Sequence, residues 1–177
     1  MTRFWLWIVF ASVVVALDQW SKSAVVGTLA FGEQWPVFSL LSFVHVRNEG
    51  AAFSFLDDAS GWQRWAFSLL AVVFSIFLIV ELRKLSKTAV WLGCAFALIL
   101  GGANGNLVDR VAHGYVVDFI MVHWREHSFA VFNLADSAIF LGAVLWIAHI
   151  FLVGERPDSG ASPGPAPSIG ATGAARD

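Results

Sequence analysis

Long apolar runs alternate with short polar breaks along the chain. Four runs, at about 4–26, 62–82, 89–108 and 129–153, meet the requirement of about 20 mostly apolar residues for a spanning helix. Each carries Trp, Lys or Arg near at least one end, as interfacial anchors should. The stretch "WPVFSLLSFVHVRNEGAAFSF" reads differently. It is rich in Val and Phe, and Gly50 suits a turn, so a small β element is expected at about 35–56. From 154 to 177 the chain is rich in Gly, Ala, Ser and Pro, a composition expected to be disordered. The pattern predicts an all-α polytopic membrane protein. Residues 1–153 would form one domain of four transmembrane helices with a small extracytoplasmic β element on the outer membrane surface.

Composition strengthens this reading. The chain is 58% hydrophobic and 14% charged, with a mean hydropathy of +0.70. Soluble domains are typically about 45–50% apolar and about 25% charged. A net charge of −2 gives no reason to expect nucleic acid as a partner. The single cysteine, Cys94, excludes an internal disulfide and sits in an apolar stretch as a packing residue.

The run after Arg3 has the n-region and h-region of a signal peptide but no clear A-x-A site, and it is expected to remain as a span. Charge sets the orientation. Arg83, Lys84 and Lys87 crowd the loop between the second and third runs, Arg3 precedes the first, and Arg156 follows the fourth. The positive-inside rule makes that side, with both termini and the tail, cytoplasmic. Residues 27–61 and 109–128 would then face outward. In the third run, Gly101 and Gly105 form a G-x-x-x-G beside Gly102 and Ala103, read as packing within the molecule rather than as a dimer face. The chain is expected to act as a monomer.

The polar residues inside the runs carry the chemistry. In "AVFNLADSAIF", Asp136 is the only charged side chain of the run 129–153. At 1.5 Å per helical residue, Asp136 lies about 10 Å from Phe129, Asp18 about 20 Å from Phe4, and Asn106 about 24 Å from Val90. Three runs thus carry a polar group at nearly one level, in the outer part of the bilayer, joined there by Asn48, Arg110 and Asp118. Ionisable groups at such depth are costly and face a protein or water-filled interior. Several converging at one depth make a site.

Asp18 and Lys22 are i, i+4 and can pair on one helix face; Asn133 and Asp136 share a face at i, i+3. Arg110 can pair with Asp109 or hold a substrate carbonyl. Asp118 sits in the apolar stretch "YVVDFIMVHW". Burial raises a carboxyl pKa, and a nearby second carboxylate raises one of the two further. Two such aspartates share a proton. The ionised one can take a proton from water while the other donates to a carbonyl oxygen or leaving amine. Asp118 and Asp136 are the best pair for this chemistry, which needs no metal and no cofactor. Ser21 and Lys22 are adjacent on a helix and do not face each other. His123 and His127, at i, i+4 beside Trp124, read as interfacial surface residues rather than zinc ligands with Asp118.

These residues fall in motifs that resemble lipoprotein signal peptidase, or signal peptidase II, over about residues 4–153. The matching stretches are "LDQWSK" at 17–22, "NEGAAFSF" at 48–55, "GGANGNLVDR" at 101–110, "VVDFI" at 116–120 and "FNLADSAIF" at 132–140. The resemblance implies an aspartyl endopeptidase of the bacterial inner membrane. It would remove signal peptides from prolipoproteins by cutting before a diacylglyceryl-modified cysteine, near the periplasmic face. It implies Asp118 and Asp136 as the catalytic dyad. Asp18, Lys22, Asn48, Gly50, Asn106, Asp109, Arg110, Asn133 and Ala135 would support the site or hold substrate, with Arg110 and Asn133 in direct contact. Partners are then diacylglyceryl-modified prolipoproteins and the phospholipid membrane. The alternative reading is a proton-coupled membrane transporter using the same acids. A transport path should be polar through its full depth, whereas the cytoplasmic halves of the runs lack a charge apart from Glu81 at the edge of the second.

Overall fold

A computed structural model describes residues 2–49, 61–86, 88–124 and 127–153. Expectations that fall on Gly50, on 51–56 of the β element, on Lys87, and on the tail 154–177 with its Arg156 lie outside the described residues. The elements run α1 Thr2–Thr28, β1 Gln34–Phe38, β2 Leu41–Asn48, α2 Trp62–Lys84, α3 Val90–His113, β3 Val116–Trp124, β4 His127–Phe132 and α4 Leu134–Val153. Among the described residues, four helices are long and apolar enough to cross a membrane. The strands form one antiparallel sheet in the order β1-β2-β3-β4.

Helix α3 is the core of the bundle. Most of its span is buried, whereas little of α1, α2 and α4 is, and these present exposed large apolar side chains such as Leu6, Leu69, Phe140 and Phe151. Small residues explain the difference. A Cβ on Gly101 would meet Val14 Cβ at 2.6 Å and Ala11 O at 2.8 Å, both on α1. A Cβ on Gly142 of α4 would lie 2.7 Å from Ala95 O of α3. Without these side chains the backbones approach closely, and dispersion contacts replace the hydrophobic driving force that lipid does not supply. Gly101 and Gly105 therefore pack within the chain.

The sheet joins the helices at one end, where α1 and α3 finish and α2 and α4 begin. Helix α3 stops at Gly114, whose left-handed φ of 90° lets its N–H bond back to Arg110 O. Two residues later β3 starts, so the chain doubles back and returns Asp118 to the helix ends. Val46 of β2 lies opposite Asp118 and Asn48 opposite Val116. A register break between Phe43 and Val46 interrupts β2 just before these pairs, a feature common beside functional sites.

Three sequence expectations are corrected. The fourth helix begins at Leu134, not near 129, because residues 127–132 form β4 on β3. A strand with exposed apolar residues cannot be told from the start of a helix by apolarity alone. The β element is accordingly a four-stranded sheet that includes 116–132, larger than the segment 35–56. Likewise α3 continues to His113, so Asp109 and Arg110 stand on the helix rather than beyond it.

The close α3 contacts generate a prediction. Gly101→Ala must displace Val14 or the α1 backbone and should cost about 1–3 kcal/mol. Gly27→Ala, where nothing lies within 4 Å of the new Cβ, should leave stability unchanged or slightly raised. Thermal melting in detergent checks this, and equal melting points for the two variants would contradict the packing account.

Candidate active site

The site is built around one buried cation. Lys22 sits one turn after Asp18 on α1, and its Nζ lies 2.8 Å from Asp18 Oδ2 and 3.0 Å from Asp109 Oδ2 of α3. It also donates to Asn106 Oδ1 at 2.9 Å. An ammonium has three donors, and all three are used. Asp18 is 0% exposed, Asp109 2% and Lys22 3%. A buried charge is tolerated only with such complete pairing.

Each carboxylate then holds a backbone amide. Asp18 Oδ1 accepts Ala135 N–H at 2.9 Å, one residue before Asp136. Asp109 Oδ2 accepts Val117 N–H at 3.1 Å, one residue before Asp118. Gln19 ties the two together, with Nε2 donating to Asp109 Oδ1 at 2.8 Å and to Gly105 O at 3.1 Å. A Cβ on Gly105 would stand 2.6 Å from Asp18 Oδ2, so this carboxylate fits only against a glycine.

Asn133 organises the start of α4. Its Oδ1 accepts Asp136 N–H at 2.9 Å, and Asp136 Oδ2 accepts Asn133 N–H at 3.2 Å. This reciprocal pair is a capping box, with Asp136 at the third helical position. Asn133 Nδ2 donates to Asp118 Oδ1 at 2.7 Å. One asparagine therefore touches both acids. Asn48 Nδ2 donates to Asp118 Oδ2 at 2.9 Å, and Asn106 Nδ2 donates to Asp136 Oδ1 at 2.7 Å.

The two acids differ in setting. Asp118 is buried at 3% exposure, and Asp136 is half-buried. Burial pushes the Asp118 carboxyl up to about 6 from 3.8; the Asp136 charge adds to the rise, and the Asn48 and Asn133 hydrogen bonds and Lys22 oppose it. The Arg110 guanidinium lies 5.2 Å from the Phe67 ring centre, within electrostatic reach of Asp136, Asp118 and Asp109. It forms no ion pair with Asp109, which binds Lys22 and Gln19 instead.

Of the residues singled out in the sequence, Asp18, Lys22, Asn48, Asn106, Asp109, Arg110, Asp118, Asn133, Ala135 and Asp136 come together here. Ala135 contributes its backbone N–H, and its methyl packs near Gly105. His123 lies elsewhere, with Nε2 2.9 Å from Ser42 Oγ. Gln19 was not anticipated, although an amide next to Asp18 in an apolar run was the available signal. The N-x-x-D spacing at 133–136, ahead of an apolar run, is likewise a helix-start signature.

Fold and site together define a polytopic membrane protein with two carboxylates gathered at one end of its helices. The family model for signal peptidase (SPase) II matches residues 10–152. The lipoprotein signal peptidase of Psychromonas ingrahamii is 48% identical over 147 residues, covering 83% of this chain and 84% of that protein. That of Shewanella oneidensis is 50% identical, covering 83% and 85%. Two solved structures of a bacterial membrane enzyme, determined by the in meso method, superpose with TM-scores of 0.76 and 0.72 at 30% and 31% identity. The first covers 87% of this chain and 92% of its own. The chain belongs to the signal peptidase II family and is a peptidase of the bacterial inner membrane. Nothing in these likenesses supports a transporter.

The raised Asp118 pKa makes a stability prediction. A carboxyl held above its unfolded value of 3.8 binds its proton more tightly in the folded state. Its contribution is therefore fully present below about pH 4 and is lost as pH rises through about 6. Asp118→Asn lacks that loss. It should melt above the wild type at pH 8, by the equivalent of about 1–3 kcal/mol, with the difference shrinking towards pH 4. An offset independent of pH would contradict a buried, proton-holding Asp118.

Proposed function

We propose that this protein removes signal peptides from prolipoproteins by hydrolysing the peptide bond before the diacylglyceryl-modified cysteine, with Asp118 and Asp136 as the catalytic dyad. The observation that carries this reading is the pair itself: two aspartates from different elements, both bonded to Asn133, at the junction of sheet and helices. Such a pair provides a base to take a proton from water and an acid to protonate the carbonyl oxygen. No group beyond the two acids and a water is needed.

The scissile bond belongs to a segment whose signal helix lies in the bilayer and whose cysteine carries acyl chains. The bond must therefore meet water at a membrane surface, and the dyad is at a helix end. Arg83 and Lys84 close α2 at the opposite end, where Arg83 stacks on Phe4 of α1 at 5.1 Å. The positive-inside rule makes that end cytoplasmic. The sheet and dyad then face the periplasm, with the sheet on the outer membrane surface and both chain termini inside. Arg110, near both acids without an ion pair to either, is suited to hold a substrate carbonyl. Asn48 and Asn133 orient Asp118, and Gly50 stands two residues after Asn48 in the sequence. The enzyme works as a monomer.

Asp118→Asn and Asp136→Asn should each lower cleavage of a lipidated prolipoprotein by at least about 100-fold, while an unlipidated precursor is poorly cut even by the wild type. Both variants should still fold, as judged by melting. Near-normal cleavage by either variant would contradict the assignment.

A further inference from the structure

Lys22 does more than neutralise the carboxylates beside it. An ammonium only donates, so the Asn106 atom 2.9 Å from it is the carbonyl oxygen. Asn133 Nδ2 donates to the same oxygen at 3.1 Å. Held from two sides, the Asn106 amide has one orientation left, and its NH2 points at Asp136 Oδ1, 2.7 Å away. We propose that Lys22, acting through the Asn106 amide, keeps Asp136 as the ionised member of the pair, so that Asp136 is the base and Asp118 the acid. This rests on the reading of Asp118 and Asp136 as the catalytic dyad and assigns their separate roles.

The surroundings favour the same division. Asp136 lies in the first turn of α4, where the helix dipole stabilises a negative charge, and its own carboxylate accepts the Asn133 N–H. Asp118 lies in a strand and is the more buried of the two. Among the described residues, the charged groups around the pair are Asp18 and Lys22 on α1, Asp109 and Arg110 on α3, and the two acids themselves; from β2 the neutral Asn48 reaches Asp118. Lys22 is largely cancelled by Asp18 and Asp109. Its influence on Asp136 therefore passes through the oriented amide more than through its bare charge.

The reaction then balances. Asp136 carboxylate takes a proton from water as the water oxygen bonds to the scissile carbonyl carbon. Asp118 gives its proton to the carbonyl oxygen, forming a neutral gem-diol. Asp136 next passes its proton to the amide nitrogen as the C–N bond breaks. Asp118 recovers a proton from one gem-diol hydroxyl, leaving a carboxylic acid, a free amine and both aspartates as they began.

Asn106→Leu, close in size, and Asn106→Ala, smaller, both remove the relay while leaving the Lys22 pairs with Asp18 and Asp109 in place. With purified full-length protein and a lipidated prolipoprotein, kcat/KM is measured from about pH 4 to 9. The acidic limb reports the base of the free enzyme and the alkaline limb the acid. In whichever variant melts cooperatively, the acidic limb should move up by about one pH unit while the alkaline limb stays, with kcat lowered about tenfold or more. Movement of the alkaline limb alone would reverse the roles, and two fixed limbs would reduce Asn106 to a structural part; either overturns the proposal. Inactive Asp118→Asn and Asp136→Asn beside fixed limbs would leave the dyad standing without the relay, whereas activity in either would remove the dyad itself.

Discussion

The buried contact of Lys22 with Asp18 and Asp109 is the constraint on which the rest of the site depends. A lone charge at this position would be prohibitively desolvated. With two anions and an amide oxygen around it, the lysine links α1 to α3, and each anion reaches onward. Asp18 holds the amide before Asp136, and Asp109 holds the amide before Asp118. Two acids on different elements are thus set by hydrogen bonds one residue upstream of each, all anchored on one ammonium.

This arrangement needs close backbones. Gly105 leaves room for the Asp18 carboxylate, and Gly101 and Gly102 let α1 and α4 press against α3. The reversal at Gly114 then returns β3 to the helix ends, so that Val117 meets Asp109. The small-residue core and the polar site are one design at two levels. Apolar contact draws the helices together, and the polar network selects the register in which their donors and acceptors match.

Much of this was legible in the sequence. A carboxylate alone in an apolar run makes Asp136 a candidate site residue, and the i, i+4 spacing of Asp18 and Lys22 announces their ion pair. Asp118 stands out because an apolar stretch carries it. Other parts were hidden for physical reasons. Strand β4 and the helix that follows it are both apolar, so the boundary at Asn133 could be found only from its capping chemistry. The depth of Asp136, counted from 129, put it well inside a helix; it lies in the first turn, where the dipole acts on it. The partner of Asp109 depended on how α1 meets α3, and sequence spacing along one helix is silent on that. The same ignorance concealed Gln19.

The central claim is that Asp118 and Asp136 form one electrostatic unit, and a double-mutant cycle on stability tests it without reference to activity. At pH 8 either Asp→Asn substitution relieves the same repulsion, so the two single effects should sum to more than the double variant shows, by about 1 kcal/mol or more. At pH 4, with a proton on the pair, the coupling should fall away. Additive effects at both pH values would mean that the two carboxylates do not sense each other, and the account of a proton-sharing pair would fail.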